Sequence, residues 1–140
     1  MLWIELACRG KDCILDANDP EGSQTTTAYA KKQGLTIWQL RTRIADTLGG
    51  LVKRLLDGGL EATILCTGGD TLLAMIREIG VSELTPICEV AVGSVLTSFV
   101  YRERRYHIIS KSGGFGEPEL LCALASQVRA KTWGRTAYAE

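Results

Sequence analysis

The sequence has a single histidine, His107, and no Cys-x-x-Cys pair, so the ordinary ligand sets for zinc are missing and Cys8 with Cys13 is only a remote metal candidate. It has no excess of either charge. Sixteen basic and sixteen acidic side chains cancel, which removes the global positive field that draws nucleic acid or anionic lipid and makes any anion site a local one. No apolar run approaches the length that spans a bilayer, and the N-terminal MLWIELACRGKD lacks both the basic start and the long apolar region of a secretory signal. Neither a Walker A loop nor a G-x-G-x-x-G fingerprint occurs. The expectation is a soluble, cytoplasmic chain with no nucleic-acid and no membrane partner.

What is present is enough for one packed domain: 140 residues, 46% of them apolar. The five cysteines are odd in number and scattered, and several sit inside apolar runs, so they read as reduced core residues rather than a disulfide framework.

Residues 2–8 and 12–16 are short apolar runs around Gly10 and predict two strands or a hairpin. Residues 18–34 are polar and turn-rich, an exposed loop with one helical turn. Ile37, Leu40, Ile44, Leu48, Leu51 and Leu55 then recur at intervals of three and four, an amphipathic helix capped by Thr36 and ended by Gly58-Gly59. Gly49-Gly50 inside it costs about 1 kcal/mol per residue relative to alanine, which points to a close approach by a neighbouring element. Ala62–Thr67 reads as a central strand, and Leu72, Met75, Ile76 and Ile79 mark the buried face of a helix that stops at Gly80. Residues 84–92, 95–102 and 106–110 read as strands, with RERR as a solvated turn and His107 as a strand residue. A last helix follows, with Leu120, Leu121, Leu124 and Val128 on its apolar face. The fold class expected is α/β, a single domain with a mixed, mostly parallel sheet flanked by helices.

Two strand–turn–helix units carry glycines at the same place, CTGGDTLLAMI and SKSGGFGEPELL. At a helix start the first N–H groups lack intrahelical partners and carry the positive end of the dipole, and glycine lets an anion come close to them. Both turns are therefore expected at one sheet edge, where open α/β sheets bind ligands. Lys111 adds a full charge with longer reach. Asp70 has two readings, the N-cap of its helix or a ligand to phosphate-bound Mg²⁺. Phe115 is expected to anchor its loop by burying its ring. The three tryptophans are expected mainly in the core.

Together, Thr67-Gly68-Gly69-Asp70-Thr71 and Lys111-Ser112-Gly113-Gly114-Phe115-Gly116 resemble the two signatures of the four-carbon acid sugar kinase family, in its C-terminal nucleotide-binding domain. The resemblance runs through residues 60–128, with the family glutamate at Glu89. At the family's P-G-V-P turn this chain reads Val92-Gly93-Ser94-Val95 and keeps only the glycine. What the resemblance implies is ATP-dependent phosphorylation of a sugar acid such as an erythronate or threonate, with ATP and Mg²⁺ as cofactors. The nucleotide-binding residues it implies are Gly68, Gly69, Asp70, Thr71, Glu89, Gly93, Gly113, Gly114 and Gly116, to which charge adds Lys111. The family's preceding substrate-binding domain has no counterpart in residues 1–140. The expected partners are therefore a nucleotide, that missing domain or subunit, and a second copy of the chain. Alone, the chain is expected to be inactive, whether it is a fragment, one part of a split enzyme or a non-catalytic binding module derived from the fold.

Overall fold

The structure, a computed structural model, describes residues 5–7, 9–17 and 23–130. From residue 23 on, the described residues form, in order, α1 (Ser23–Lys32), α2 (Ile37–Asp57), β1 (Ile64–Thr67), α3 (Gly69–Ile79), β2 (Thr85–Ala91), β3 (Ser94–Tyr101), β4 (Arg104–Lys111) and α4 (Leu120–Ala130). They build a single α/β domain whose four strands lie in the order β1-β4-β3-β2.

The sheet is mixed, as expected, but not mostly parallel. Only β1 and β4 run parallel, while β2–β3 and β3–β4 are antiparallel. The cause is connection length: Val92-Gly93 and Arg102-Glu103 are two-residue turns, which join only antiparallel neighbours, whereas a parallel pair needs a crossover. For the same reason β1, expected in the centre, lies at an edge of the sheet among the described residues.

Helix α2 starts as the sequence predicts. Gln39 N–H donates to Thr36 Oγ1 at 3.1 Å and Thr36 N–H donates to Gln39 Oε1 at 2.8 Å, a complete capping box. Its buried residues Leu40, Ala45, Gly49 and Leu56 face inward. A Cβ built on Gly49 would stand 3.0 Å from the Ala74 carbonyl oxygen, so the cost of this glycine is repaid by the close passage of α3. Gly50 has open space instead.

The sheet separates two apolar layers. On one face Cys66, Phe99, Tyr106 and Ile108 pack with Leu56, Met75 and Ile79 of α2 and α3, and the Phe99 and Tyr106 rings stack at 5.6 Å. On the other, Leu96 and Ile109 pack with Leu124 of α4. Each such fully buried side chain contributes roughly 1.5–3 kcal/mol. Burial pushes the Cys66 thiol up to about 11, which keeps it protonated and inert.

Several expectations fail here. Residues 5–7 are helical and 11–17 carry no strand, with Ile14 and Leu15 exposed; residues 1–4 and 8 lie outside the described ones. These short runs cannot cover both faces of a strand, and the alternation that marks a one-sided strand is missing from them. The polar stretch before Gly34 forms the ten-residue helix α1 rather than a loop, with residues 18–22 outside the described ones. Of the described cysteines only Cys66 is buried; Cys13 and Cys122 are exposed and Cys88 is half-buried, and none is in a disulfide. Trp38 is exposed rather than core, and Trp3 and Trp133 lie outside the described residues. Leu121 is also exposed, because α4 begins at Leu120, after Pro118, and its phase turns that residue outward. Among the described residues no helix is long and apolar enough to cross a membrane.

The RERR turn is a strained hairpin. Arg102 and Glu103 both adopt positive φ, 47° and 65°, where Asn-Gly is the favoured pair. Asp57 braces the turn, accepting from Tyr101 Oη at 2.7 Å and pairing with Arg102 at 3.1 Å. An exposed ion pair is worth less than the strain. Replacing both residues, Arg102→Asn with Glu103→Gly, is therefore expected to raise stability by about 1 kcal/mol. The check is a higher urea midpoint at unchanged slope.

Candidate functional site

The parallel pairing of β1 with β4 aligns Thr67 with Lys111, so the two glycine turns leave adjacent strands at the same sheet edge. They touch. Gly68 N–H donates to the Lys111 carbonyl at 3.0 Å, and a Cβ on Gly113 would lie 4.0 Å from Gly68 Cα. The β2–β3 turn joins them, since Ser112 N–H donates to the Gly93 carbonyl at 3.0 Å. Three turns thus converge at one end of the sheet.

Each glycine has its own part. Gly68 is the N-cap of α3 at φ 95°, ψ 131°, a backbone state that L side chains rarely adopt. Its carbonyl accepts from Leu72 N–H at 3.1 Å and no side chain among the described residues caps the helix, so the amides of Gly69, Asp70 and Thr71 remain for an external acceptor. The capping role expected of Asp70 is therefore overturned. Asp70 stands inside the first turn, exposed, two residues past the cap, too far into the helix for its carboxylate to take that place. Gly93 serves differently: its N–H donates to Glu89 Oε1 at 3.2 Å and its carbonyl is held by Ser112. Glu89 thereby receives a geometric role, bracing the turn on which the second loop rests.

Lys111 Nζ donates to the carbonyls of Ser112 and Gly113, at 2.9 and 3.3 Å, and makes no ion pair with a carboxylate among the described residues. Its positive charge is thus solvated by loop dipoles and not neutralised. Phe115 does not bury its ring, which is 61% exposed; its Cβ and Cγ lie 3.6–3.7 Å from where a Gly93 side chain would begin. Gly114 is open on all sides, and Gly116, at φ 106°, lets the chain pass Leu120. With the ring in solvent, the loop is held by backbone bonds instead of by an aromatic anchor.

All the sequence-predicted residues thus gather at one end of the sheet. So do two that the sequence reading missed, Thr67 and Ser94, each opposite Lys111 in register. Thr67 heads the first signature and Ser94 follows Gly93 in the altered turn, but their place beside Lys111 is set by strand register, which appears only with the sheet. Two concavities lie elsewhere, one on the surface of α2 around Trp38 and Asp46, the other between α1 and α2. Both are lined by Arg43, and neither includes a residue of the glycine turns.

Comparison with known proteins decides the family. Residues 1–121 match the family described as nucleotide-binding C-terminal domain. The chain belongs to that family. This nucleotide-binding domain also resembles a domain of unknown function (DUF1537) from Bordetella bronchiseptica, crystallised with bound citrate as a domain-swapped dimer. The identity is 29% and the TM-score 0.57, over 63% of this chain and 22% of that one. A second crystal form of the same protein gives 30% identity and a TM-score of 0.55, over 61% and 22%. The nucleotide-binding domain therefore spans about 22% of the length of these relatives. No curated protein matches it.

Proposed function

We propose that this chain is the ATP-binding part of a kinase that phosphorylates a four-carbon sugar acid such as erythronate or threonate. One observation carries the reading: the unbonded first-turn amides of α3 and the un-neutralised Lys111 stand at the same sheet edge, on adjacent parallel strands. Helix-terminal amides suit phosphate oxygens, and a lysine adds a point charge for the outer phosphates. The family match and the motif resemblance through residues 60–128 support it.

The residues also fit a nucleotide-bound Mg²⁺. Asp70, freed of capping, has no hydrogen bond or ion pair among the described residues and is the carboxylate that would reach the cation, whereas that of Glu89 is already engaged by Gly93. When bound, Mg²⁺ would neutralise charge developing on the phosphates.

Phosphoryl transfer needs the acceptor hydroxyl and the γ-phosphate aligned in one closed site, and residues 1–140 supply the nucleotide side of it. The exposed side chains of Val92 and Phe115 belong to the converging turns, as expected of a surface that meets a substrate-binding domain or subunit. The domain-swapped dimers of the relatives support a second copy as a further partner.

Calorimetry with Mg-ATP tests the reading. Lys111→Ala is expected to weaken Mg-ATP binding about tenfold while adenosine binding stays unchanged, since a charge contact acts on phosphates and not on the base. Equal loss for both ligands, or none, would place the phosphates elsewhere. The isolated chain is expected to transfer no phosphate to erythronate or threonate; turnover by protein free of other kinases would reveal an acceptor site within residues 1–140.

A further inference from the structure

Ser94 opens β3 directly after the Gly93 turn. It is 0% exposed, and its Oγ is buried with no hydrogen-bond partner among the described residues. Leaving a buried hydroxyl unmatched is costly, and such an atom calls for an explanation.

Its position supplies one. Ser94 is opposite Lys111 across β3–β4, and Thr67 is opposite Lys111 across β1–β4. Residues directly opposed in a ladder put their side chains on the same face. The last rung of the sheet before the glycine turns is therefore a polar row of Thr67, Lys111 and Ser94. By the two-residue period of a strand it stands on the α4 face, with Leu65, Leu96 and Ile109 in the next row. The row holds two hydroxyls, one cation and no carboxylate, a donor set for an anion. The loop beyond it is tied down by Lys111 Nζ through the carbonyls of Ser112 and Gly113.

We propose that Ser94 is a binding residue for a phosphate group, engaged when that anion takes Lys111 from the loop carbonyls. In the ligand-free chain Lys111 holds residues 112–113 down and Ser94 lies covered without an acceptor. A phosphate offers the ammonium a full negative charge in place of two carbonyl dipoles; the loop is released, and the Ser94 hydroxyl gains the acceptor it lacks. Glycines at 113 and 114 give the loop the backbone freedom for this rearrangement. The proposal deepens the nucleotide reading and rests on it for the source of the phosphate, not for the chemistry of the row.

The test uses the whole chain, with inorganic triphosphate and Mg-ATP as separate probes. Ser94→Ala is compared with Ser98→Ala, a buried serine on the same strand and face whose Oγ accepts from Arg105 Nη1 at 3.2 Å. Ser94→Ala is expected to raise the Tm of the ligand-free chain, because an unmatched hydroxyl is removed, and to weaken triphosphate binding about tenfold. Ser98→Ala is expected to lower Tm and leave triphosphate affinity unchanged. A purely structural Ser94 would move Tm alone. Triphosphate affinity unchanged in Ser94→Ala, or a lower ligand-free Tm, overturns the proposal. Wild-type chain that binds triphosphate but not Mg-ATP overturns the nucleotide reading and leaves Ser94 to be judged by its own variant; binding of neither overturns both.

Discussion

Valine at Gly113 is expected to lower Mg-ATP affinity on the order of a hundredfold, about 2.7 kcal/mol, in a chain that stays folded. A Cβ at this position already reaches within 4.0 Å of Gly68 Cα, in the gap between the two turns. The two γ-methyls of valine would occupy space in front of the α3 amides that a phosphate needs. The fold has little at stake, because Gly113 is exposed and its φ is not in the left-handed region; a surface change of this kind moves stability by roughly 0.5 kcal/mol or less. Calorimetry and urea unfolding on the same preparation separate the two effects. A folded Gly113→Val chain that binds Mg-ATP as the wild type does would show that the phosphates do not pass between the turns.

A second large effect is expected far from that site, at the two glycines of α2. Gly49→Val is expected to destabilise the domain by about 1–3 kcal/mol, because its Cβ would press on the Ala74 carbonyl oxygen at 3.0 Å and carbon at 3.1 Å, and backbone cannot swing aside as a side chain can. Gly50→Ala is expected to do the reverse and add up to about 1 kcal/mol, since nothing lies within 4 Å and alanine restricts the unfolded chain. Urea midpoints of the two variants check both signs. Destabilisation by both would mean that the helix pair packs in another register.

The contrast between these neighbours shows where the sequence stops being informative. Two adjacent glycines in a helical pattern announce a cost and a close approach, yet which of them meets the partner helix depends on the phase of α2 against α3. Asp70 and Phe115 teach the same lesson at the site. An acidic residue beside a glycine turn reads as a cap, and an aromatic ring in a glycine loop reads as an anchor; each reading needs a side-chain direction that the local pattern does not contain. The helix begins two residues earlier than the cap reading requires, and the ring faces solvent.

By itself the sequence determined the amphipathic helix with its Thr36 cap, the strand–turn–helix units around both glycine turns, the three later strands and the two signatures that mark the site. These depend on local physics: side-chain periodicity, unpaired helix amides, and glycine where backbone must come close. Only the tertiary structure decided that β1 runs parallel beside β4 at an edge, that Glu89 braces Gly93, and that Thr67, Lys111 and Ser94 share one rung. Those facts belong to register and strand order, which are set by packing whole layers against each other. A site assembled from residues far apart in the chain therefore comes into view only when the sheet does.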